Sequence, residues 1–333
     1  MVLTKTQLTV VGTDEPVRGE IRVTGFDRIA HGLYLRRRTN LSPDDAFRRE
    51  LVAWMLVLPP GAVFTHITAA RLRGWTMPKL PEQVPVFAAI RGTSRGPRRP
   101  GLICSRLTHP SDVVRSAPLP TDTAPEILLR AARDLGVLDL VIMIDSAVHV
   151  GDLDPADMER LLVSGRPGVR RLHDAYVLSD ARSESGGETL LRCLHEVARV
   201  VVTPQVELHD EEGRFIARAD LLVAGTRTLH EYDGAHHRTV AGHRGDLRRD
   251  RRLLAAGYQR RGYTLDDLTN HPTAVFQDLD RLTGRRHDPV RLRAWRRMLT
   301  NSLYEPVGRE RVMNRWHRAN GLIDWSGTAS LRA

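Results

Sequence analysis

Apolar side chains recur at three- and four-residue spacing through Phe47, Leu51, Trp54, Met55 and Leu58, the period of an amphipathic helix. Ser42-Pro43-Asp44-Asp45 opens that helix, with Ser as cap and Pro in the first turn, and Pro59-Pro60 stops it. Short strand patterns precede it at Ile21-Arg22-Val23 and Gly32-Leu33-Tyr34-Leu35. A second short helix is predicted after Thr65, carrying Ala69, Ala70 and Leu72 and ending near Gly74-Trp75. Strands follow at Val84 to Ile90 and Ile103 to Arg106, separated by a Gly/Arg/Pro-rich loop from Arg91 to Gly101. Helices are predicted over Ala124 to Asp134, Leu138 to Val148 and Pro155 to Leu162, with a break at Ser164 to Gly168 and a further helix from Val169. The last third changes character. A helix through about Val200 leads into strand-like runs at Gln205 to Leu208, Phe215 to Val223 and Thr228 to Asp233. Turn residues at Asp210 to Gly213 and Ala224 to Thr226 make these runs a meander. A basic helix from Gly245 to Ala256 and an apolar-periodic helix from Thr273 to Leu282 come next.

Composition narrows the class. The 333 residues are 41% hydrophobic and 27% charged, the balance of a globular chain of about two domains. The longest apolar run, Leu51 to Val63, is broken by Pro59-Pro60, so no membrane span is expected. Met1 to Val11 has no apolar stretch of the signal-peptide kind. Only Cys104 and Cys193 occur, too few for a disulfide framework or a cysteine zinc site, and a cytoplasmic location is the expectation.

Charge adds a location. Lys appears only at Lys5 and Lys79, so the basic side chains are almost all Arg, and no lysine beyond residue 79 is available for catalysis. From Arg238 to Ala333 there are 20 Arg against 10 acidic residues, and the preceding 237 residues are balanced, so the formal charge of +10 sits in this last segment. An anionic partner follows, with nucleic acid ahead of a membrane surface because no amphipathic anchor accompanies the charge.

The candidate chemistry lies just ahead of that segment. On a strand alternate side chains share a face, so Glu231 and Asp233 project together with Tyr232 opposite. Asp220 lies on the preceding strand if the turn at Gly225 makes a hairpin, which brings three carboxylates to adjacent strand ends. Such a group either decorates a surface or holds a cation, and Mg²⁺ takes one or two carboxylates plus waters. Glu188, on the helix before the meander, is placed to join them. His237 follows the carboxylate pair by four residues and is a candidate phosphate contact or proton carrier.

Four blocks then align with a known pattern. Ser183-Glu-Ser-Gly-Gly-Glu188-Thr-Leu-Leu-Arg192, Gly213-Arg-Phe-Ile-Ala-Arg-Ala-Asp220-Leu, Glu231-Tyr-Asp-Gly-Ala-His-His237-Arg and Asp246-Leu-Arg-Arg249-Asp-Arg-Arg-Leu253-Leu-Ala-Ala-Gly257-Tyr258 succeed one another in order. Together, over residues 183–268, they resemble the actinobacterial domain of unknown function related to very-short-patch-repair (Vsr) endonucleases, within the PD-(D/E)XK nuclease superfamily. The resemblance implies that Asp220 and Glu231 bind Mg²⁺, or Mn²⁺, and that Glu188 is the helical acid of the fold. It sets Asp233 where the superfamily's lysine stands, and matches His237 to the subfamily's histidine and Arg249 to its helix arginine. Gln259-Arg260-Arg261-Gly262 departs from the relatives' apolar final strand ending in Arg, and arginines with a glycine there are expected to weaken that strand.

A second resemblance covers the first half. Gly32-Leu-Tyr-Leu35 and Leu58-Pro-Pro-Gly-Ala-Val-Phe-Thr-His-Ile-Thr-Ala-Ala-Arg-Leu-Arg-Gly-Trp75 are similar to AbiEi-family antitoxins of type IV toxin–antitoxin systems, as is the stretch from Val84 to Val148. It implies a DNA-binding winged-helix module, here degenerate, and a cognate toxin partner. Thr65-His66 with Arg71 or Arg73 are candidates for phosphate contact, with helix-cap and surface roles preferred.

These readings give a multidomain α+β and α/β chain. A degenerate winged-helix-like region spans 1–80, an α+β region 81–180, a restriction-endonuclease-like αβββαβ core 181–270 and a basic helical extension 271–333. The leading expectation is a metal-dependent DNA endonuclease, or a DNA-binding protein derived from one, with Glu188, Asp220, Glu231, Asp233, His237 and Arg249 as catalytic candidates. Arg248, Arg251 and Arg252 are expected to supply backbone affinity for DNA. The rivals are a non-catalytic DNA-binding regulator of the antitoxin type and a protein-interaction scaffold.

Overall fold

The computed structural model describes residues 17–18, 25–30, 32–91, 96–107, 113–116, 119–234 and 249–320, a mixed α/β chain with three small sheets. It divides into two compact units, one of residues 1–74, 81–131 and 311–333, the other of residues 75–80 and 132–310.

In the first unit, β1 (Val17–Arg18), β2 (Phe26–Ala30) and β3 (Leu33–Arg36) form an antiparallel sheet in the order β1-β3-β2. Helix α1 (Pro43–Met55) starts as its sequence dictates: the Ser42 hydroxyl accepts the Asp45 N–H at 3.1 Å, Pro43 takes the first turn, and Asp44 and Asp45 face the positive end of the helix dipole. Its buried face is Leu51, Val52, Ala53 and Trp54. A five-stranded sheet follows in the order β6-β5-β4-β8-β7, built from β4 (Val63–Phe64), β5 (Val86–Ile90), β6 (Leu102–Arg106), β7 (Val114–Ser116) and β8 (Leu119–Thr121). Helices α2 (His66–Leu72) and α3 (Ala124–Ala131) belong to this unit, with Ile67, Phe64, Phe87, Ile127 and Leu128 in its core.

The phosphate candidates of this half are used for structure. His66, with its backbone at φ 54°, is 3% exposed and stacks on Phe87 with ring centroids 4.0 Å apart. Arg73 donates to the Asp122 carbonyl at 2.8 Å. Arg71 lies 4.1 Å over the Phe47 ring. Thr65 occupies the helix cap but makes no side-chain capping bond. A cavity of about 500 Å³ near the sheet is lined by Ile90, Arg98, Arg99, Cys104, Arg106 and Arg318.

In the second unit, α4 (Val137–His149) is apolar on nearly every side and accordingly buried, from Leu140 through Ile144 without interruption. Helices α5 (Pro155–Leu162) and α6 (Val169–Val177) lead to α7 (Gly186–Ala198). Strands β9 (Val202–His209), β10 (Phe215–Val223) and β11 (Thr228–Tyr232) form the expected antiparallel meander. Helix α8 (residues 249–255) then precedes β12 (Gln259–Tyr263), which pairs parallel to β11 and completes a sheet in the order β12-β11-β10-β9. Helices α9 (Leu265–Thr269), α10 (Pro272–Leu282) and α11 (Pro289–Thr300) follow, and α12 (Pro306–Asn320), whose residues from 311 onward are counted with the first unit, ends the described chain.

The final strand forms with its arginines in place. β12 is an edge strand, so Arg260 lies where its charged end reaches acidic partners instead of the core, and only Tyr263 is buried. The strand predicted at Ile21-Arg22-Val23 and the start of the basic helix at 245–248 lie outside the described residues. Among the described residues no helix is long and apolar enough to cross a membrane.

Candidate functional site

Two close approaches bring the candidate acids together. A Cβ on Gly187 would lie 2.0 Å from the Tyr232 ring, so only glycine lets the first turn of α7 press against the end of β11. The Ser185 hydroxyl caps that helix by accepting the Glu188 N–H at 3.2 Å, which fixes Glu188 at the helix start beside the strand ends. The Glu188 carboxylate accepts the Glu184 N–H at 2.9 Å and the Gln205 side-chain amide at 2.8 Å.

Gln205 was not visible as a site residue in the sequence. It lies within β9 at φ 52°, a left-handed backbone that costs a non-glycine residue roughly 1 kcal/mol or more. In the β9–β10 ladder it falls between the Pro204–Leu221 and Val206–Ala219 pairs, the level of Asp220 on the neighbouring strand.

Asp220 stands one residue beyond the Leu221–His230 pair of the β10–β11 hairpin, and its Oδ2 accepts the Tyr232 N–H at 2.8 Å. The side chain thereby takes over a place in the ladder as the two strands separate. Burial pushes its pKa up to about 6, and the Glu188 and Glu231 charges push the same way. The Tyr232 N–H and the Arg249 charge oppose them.

Glu231 is 4% exposed and held between two guanidinium groups. Arg249, at the start of the described part of α8, donates to Oε1 at 2.5 Å and also to the Arg218 carbonyl at 2.9 Å. Arg260 of β12 donates from Nε to Oε2 at 2.5 Å and from Nη2 to Asp233 Oδ1 at 2.7 Å. Its Nη1 lies 3.9 Å from Asp250 Oδ1. The parallel register explains the meeting: Leu229 pairs with Arg260 and Glu231 with Gly262, so alternate residues of both strands share this face. A Cβ at Gly262 would lie 1.9 Å from Asp233 Oδ2, so the glycine read as a weakness is what gives Asp233 its place.

The opposite face of β11 turns toward α7. There His230 Nδ1 and His195 Nε2 lie 2.8 Å apart, both rings fully buried, with His195 Nδ1 donating to the Leu191 carbonyl at 2.8 Å. Burial lowers His195 to about 4 and His230 to about 3, so both are neutral at physiological pH and belong to the core.

The structure thus brings Glu188, Asp220, Glu231, Asp233 and Arg249 together and adds Gln205, Arg260 and Gly262. Arg252 donates to the Phe215 carbonyl, and Arg251 is exposed on α8. His237 and Arg248 lie outside the described residues.

Mg²⁺ would need several oxygen ligands in near-octahedral array at about 2.0–2.1 Å. Both Glu231 oxygens and one of Asp233 already accept guanidinium N–H groups, and one of Asp220 accepts a backbone N–H. Among the described residues no group of three or more His, Cys, Asp or Glu is arranged to hold a metal ion. The residues as placed do not fit the ion. No family model, curated protein or solved structure matches the chain.

Proposed function

We propose that the chain binds DNA through a nuclease-derived αβββαβ domain at residues 181–270, and that the domain holds DNA without cutting it. The order α7, β9, β10, β11, α8, β12 supports this reading, with Glu188 on the first helix, Asp220 within β10 where it parts from β11, Glu231 near the end of β11 and Arg249 on the second helix. It is the order of the Vsr-like resemblance. The observation that carries the non-catalytic half is the clamp on Glu231: the acid assigned to the metal spends both oxygens on Arg249 and Arg260. Arginines on α8 supply a sequence-independent attraction to phosphate, and α11 carries a further exposed set at Arg293, Arg296 and Arg297. DNA as partner agrees with a cytoplasmic location, and a cognate toxin belongs to the same proposal through the antitoxin-like first half.

One observation favours a second reading, an Mg²⁺- or Mn²⁺-dependent phosphodiester hydrolase. Burial raises Asp220 to about 6, and the nearby Glu188 and Glu231 charges add a repulsion that a divalent cation would relieve.

A cleavage assay separates the two. Purified chain with Mg²⁺ or Mn²⁺, offered single-stranded, duplex, mismatched and damaged DNA, is expected to leave all of them intact. Cutting that Asp220→Ala abolishes would establish the hydrolase instead.

A further inference from the structure

We propose that the Arg260 guanidinium is a built-in cation that takes the place of a divalent ion between Glu231 and Asp233, beside Asp220, and that removing it opens a divalent-metal site. The inference deepens the reading above and rests on its assignment of these acids.

Arg260 is embedded in a fitted arrangement. One guanidinium bonds to Glu231 and Asp233 and lies near Asp250, at 2.5, 2.7 and 3.9 Å. Its side chain is 28% exposed and the Glu231 side chain 6%, so the pair is partly withdrawn from water, where a charge-assisted bond holds better than at an open surface. Two positions of β12 are matched to two acids of β11: Arg260 supplies the charge, and Gly262 leaves the room that Asp233 occupies. A chance ion pair on the surface would need no such second fit.

Charge explains why the guanidinium and a divalent ion exclude each other. Glu188, Asp220, Glu231, Asp233 and Asp250 bring five carboxylates to this end of the sheet, and among the described residues only the Arg249 and Arg260 guanidinium groups are bonded among them. A divalent ion bound to Glu231 and Asp220 would sit against Arg260 and be repelled by it at short range. A guanidinium is also tethered and always charged, so it needs no metal supply. It carries no bound water to activate, which agrees with DNA holding and not with hydrolysis. Replacing Arg260 with an uncharged residue of similar reach returns Glu231 Oε2 and Asp233 Oδ1 to the cluster beside Asp220.

The test is calorimetric titration of Mn²⁺ into the full chain, the Arg260→Leu variant and the Arg260→Gln variant, with folding checked by circular dichroism. The wild type is expected to show no saturable binding over the range titrated, and both variants to saturate with an affinity at least ~10-fold tighter than the weakest that range detects, a gain that adding Asp220→Asn removes. Folded variants that gain nothing overturn the proposal. The wild-type titration decides independently of either variant, because saturable Mn²⁺ binding that Asp220→Asn abolishes also overturns it. Duplex-DNA affinity measured in EDTA on the same preparations tests the DNA-binding reading separately. If that affinity is absent while the variants gain metal, the functional reading fails and the cation assignment stands.

Discussion

Arg192→Ala will lower the stability of the second unit by about 3–5 kcal/mol, the usual cost of stranding one partner of a buried ion pair. Asp145 is 1% and Arg192 6% exposed, and they meet at 2.8 Å between α4 and α7. Asp145 also accepts the Asp180 N–H at 2.7 Å and the Thr189 hydroxyl at 2.8 Å, while Arg192 donates to the Leu178 carbonyl at 2.6 Å and the Ser183 hydroxyl at 3.2 Å. This network fixes the helix that carries Glu188. Removing Arg192 leaves a carboxylate in a dry site with one charged donor fewer and takes a donor from the part-buried Leu178 carbonyl. Removing both charges is expected to cost less than the sum of the single losses, by roughly 1–3 kcal/mol. Urea denaturation of Arg192→Ala, Asp145→Ala and the double variant measures all three terms. Additive losses would show that the two side chains act separately.

Asp220→Asn is expected to have the opposite sign and to stabilise the protein at neutral pH. The folded pKa of about 6 lies above the ordinary 3.8, so the native state binds the Asp220 proton more readily than the unfolded chain does. Stability from this group is therefore full at low pH and falls as pH rises from about 4 through about 6. A shift of roughly two pH units would correspond to about 3 kcal/mol, and because Asp220 is only partly buried the expected gain is about 1–2 kcal/mol at pH 7.5. The Asn carbonyl can keep the Tyr232 N–H, so the ladder end survives the substitution. Denaturation between pH 3.5 and 8, taken at about half-unit steps, should show the variant's advantage closing below about pH 4. A loss of stability at pH 7.5, or a gain that ignores pH, would contradict the burial of Asp220 beside two other acids.

Much of this arrangement was legible in the sequence, for local reasons. Ser42-Pro43 and Asp154-Pro155 begin helices where cap and proline chemistry say they should. The Phe215 to Val223 strand is bounded by turn residues on both sides and was read with its observed limits. The alternation that put Glu231 and Asp233 on one face and Tyr232 on the other is a property of any strand, and α7 covers the second face. What remained hidden depends on partners distant in the chain. The two-residue strand β4 has no pattern of its own and exists because β5 and β8 flank it. The positive φ of Gln205 serves Glu188, which lies 17 residues earlier.

Arg260 and Gly262 show the same limit in the candidate site itself. Judged by strand propensity they are faults, since charged and glycine residues suit a buried strand poorly. Their use appears only when parallel pairing sets Arg260 beside Leu229 and Gly262 beside Glu231. The acids were readable because carboxylates at a hairpin end carry their meaning locally. The cation that answers them was not, because parallel register cannot be counted from the sequence.

The central claim is that the domain holds DNA by charge and needs no divalent ion to do so. Fluorescence anisotropy of a labelled duplex, titrated with the full chain over a range of salt in EDTA and again in Mg²⁺, tests it most directly. If about three arginines such as Arg248, Arg251 and Arg252 neutralise phosphates, the logarithm of affinity should fall against that of salt with a slope of about −2 to −3 in EDTA. At matched ionic strength Mg²⁺ should add no affinity beyond its competition for phosphate. Binding that is absent in EDTA and appears only with Mg²⁺ would contradict the account.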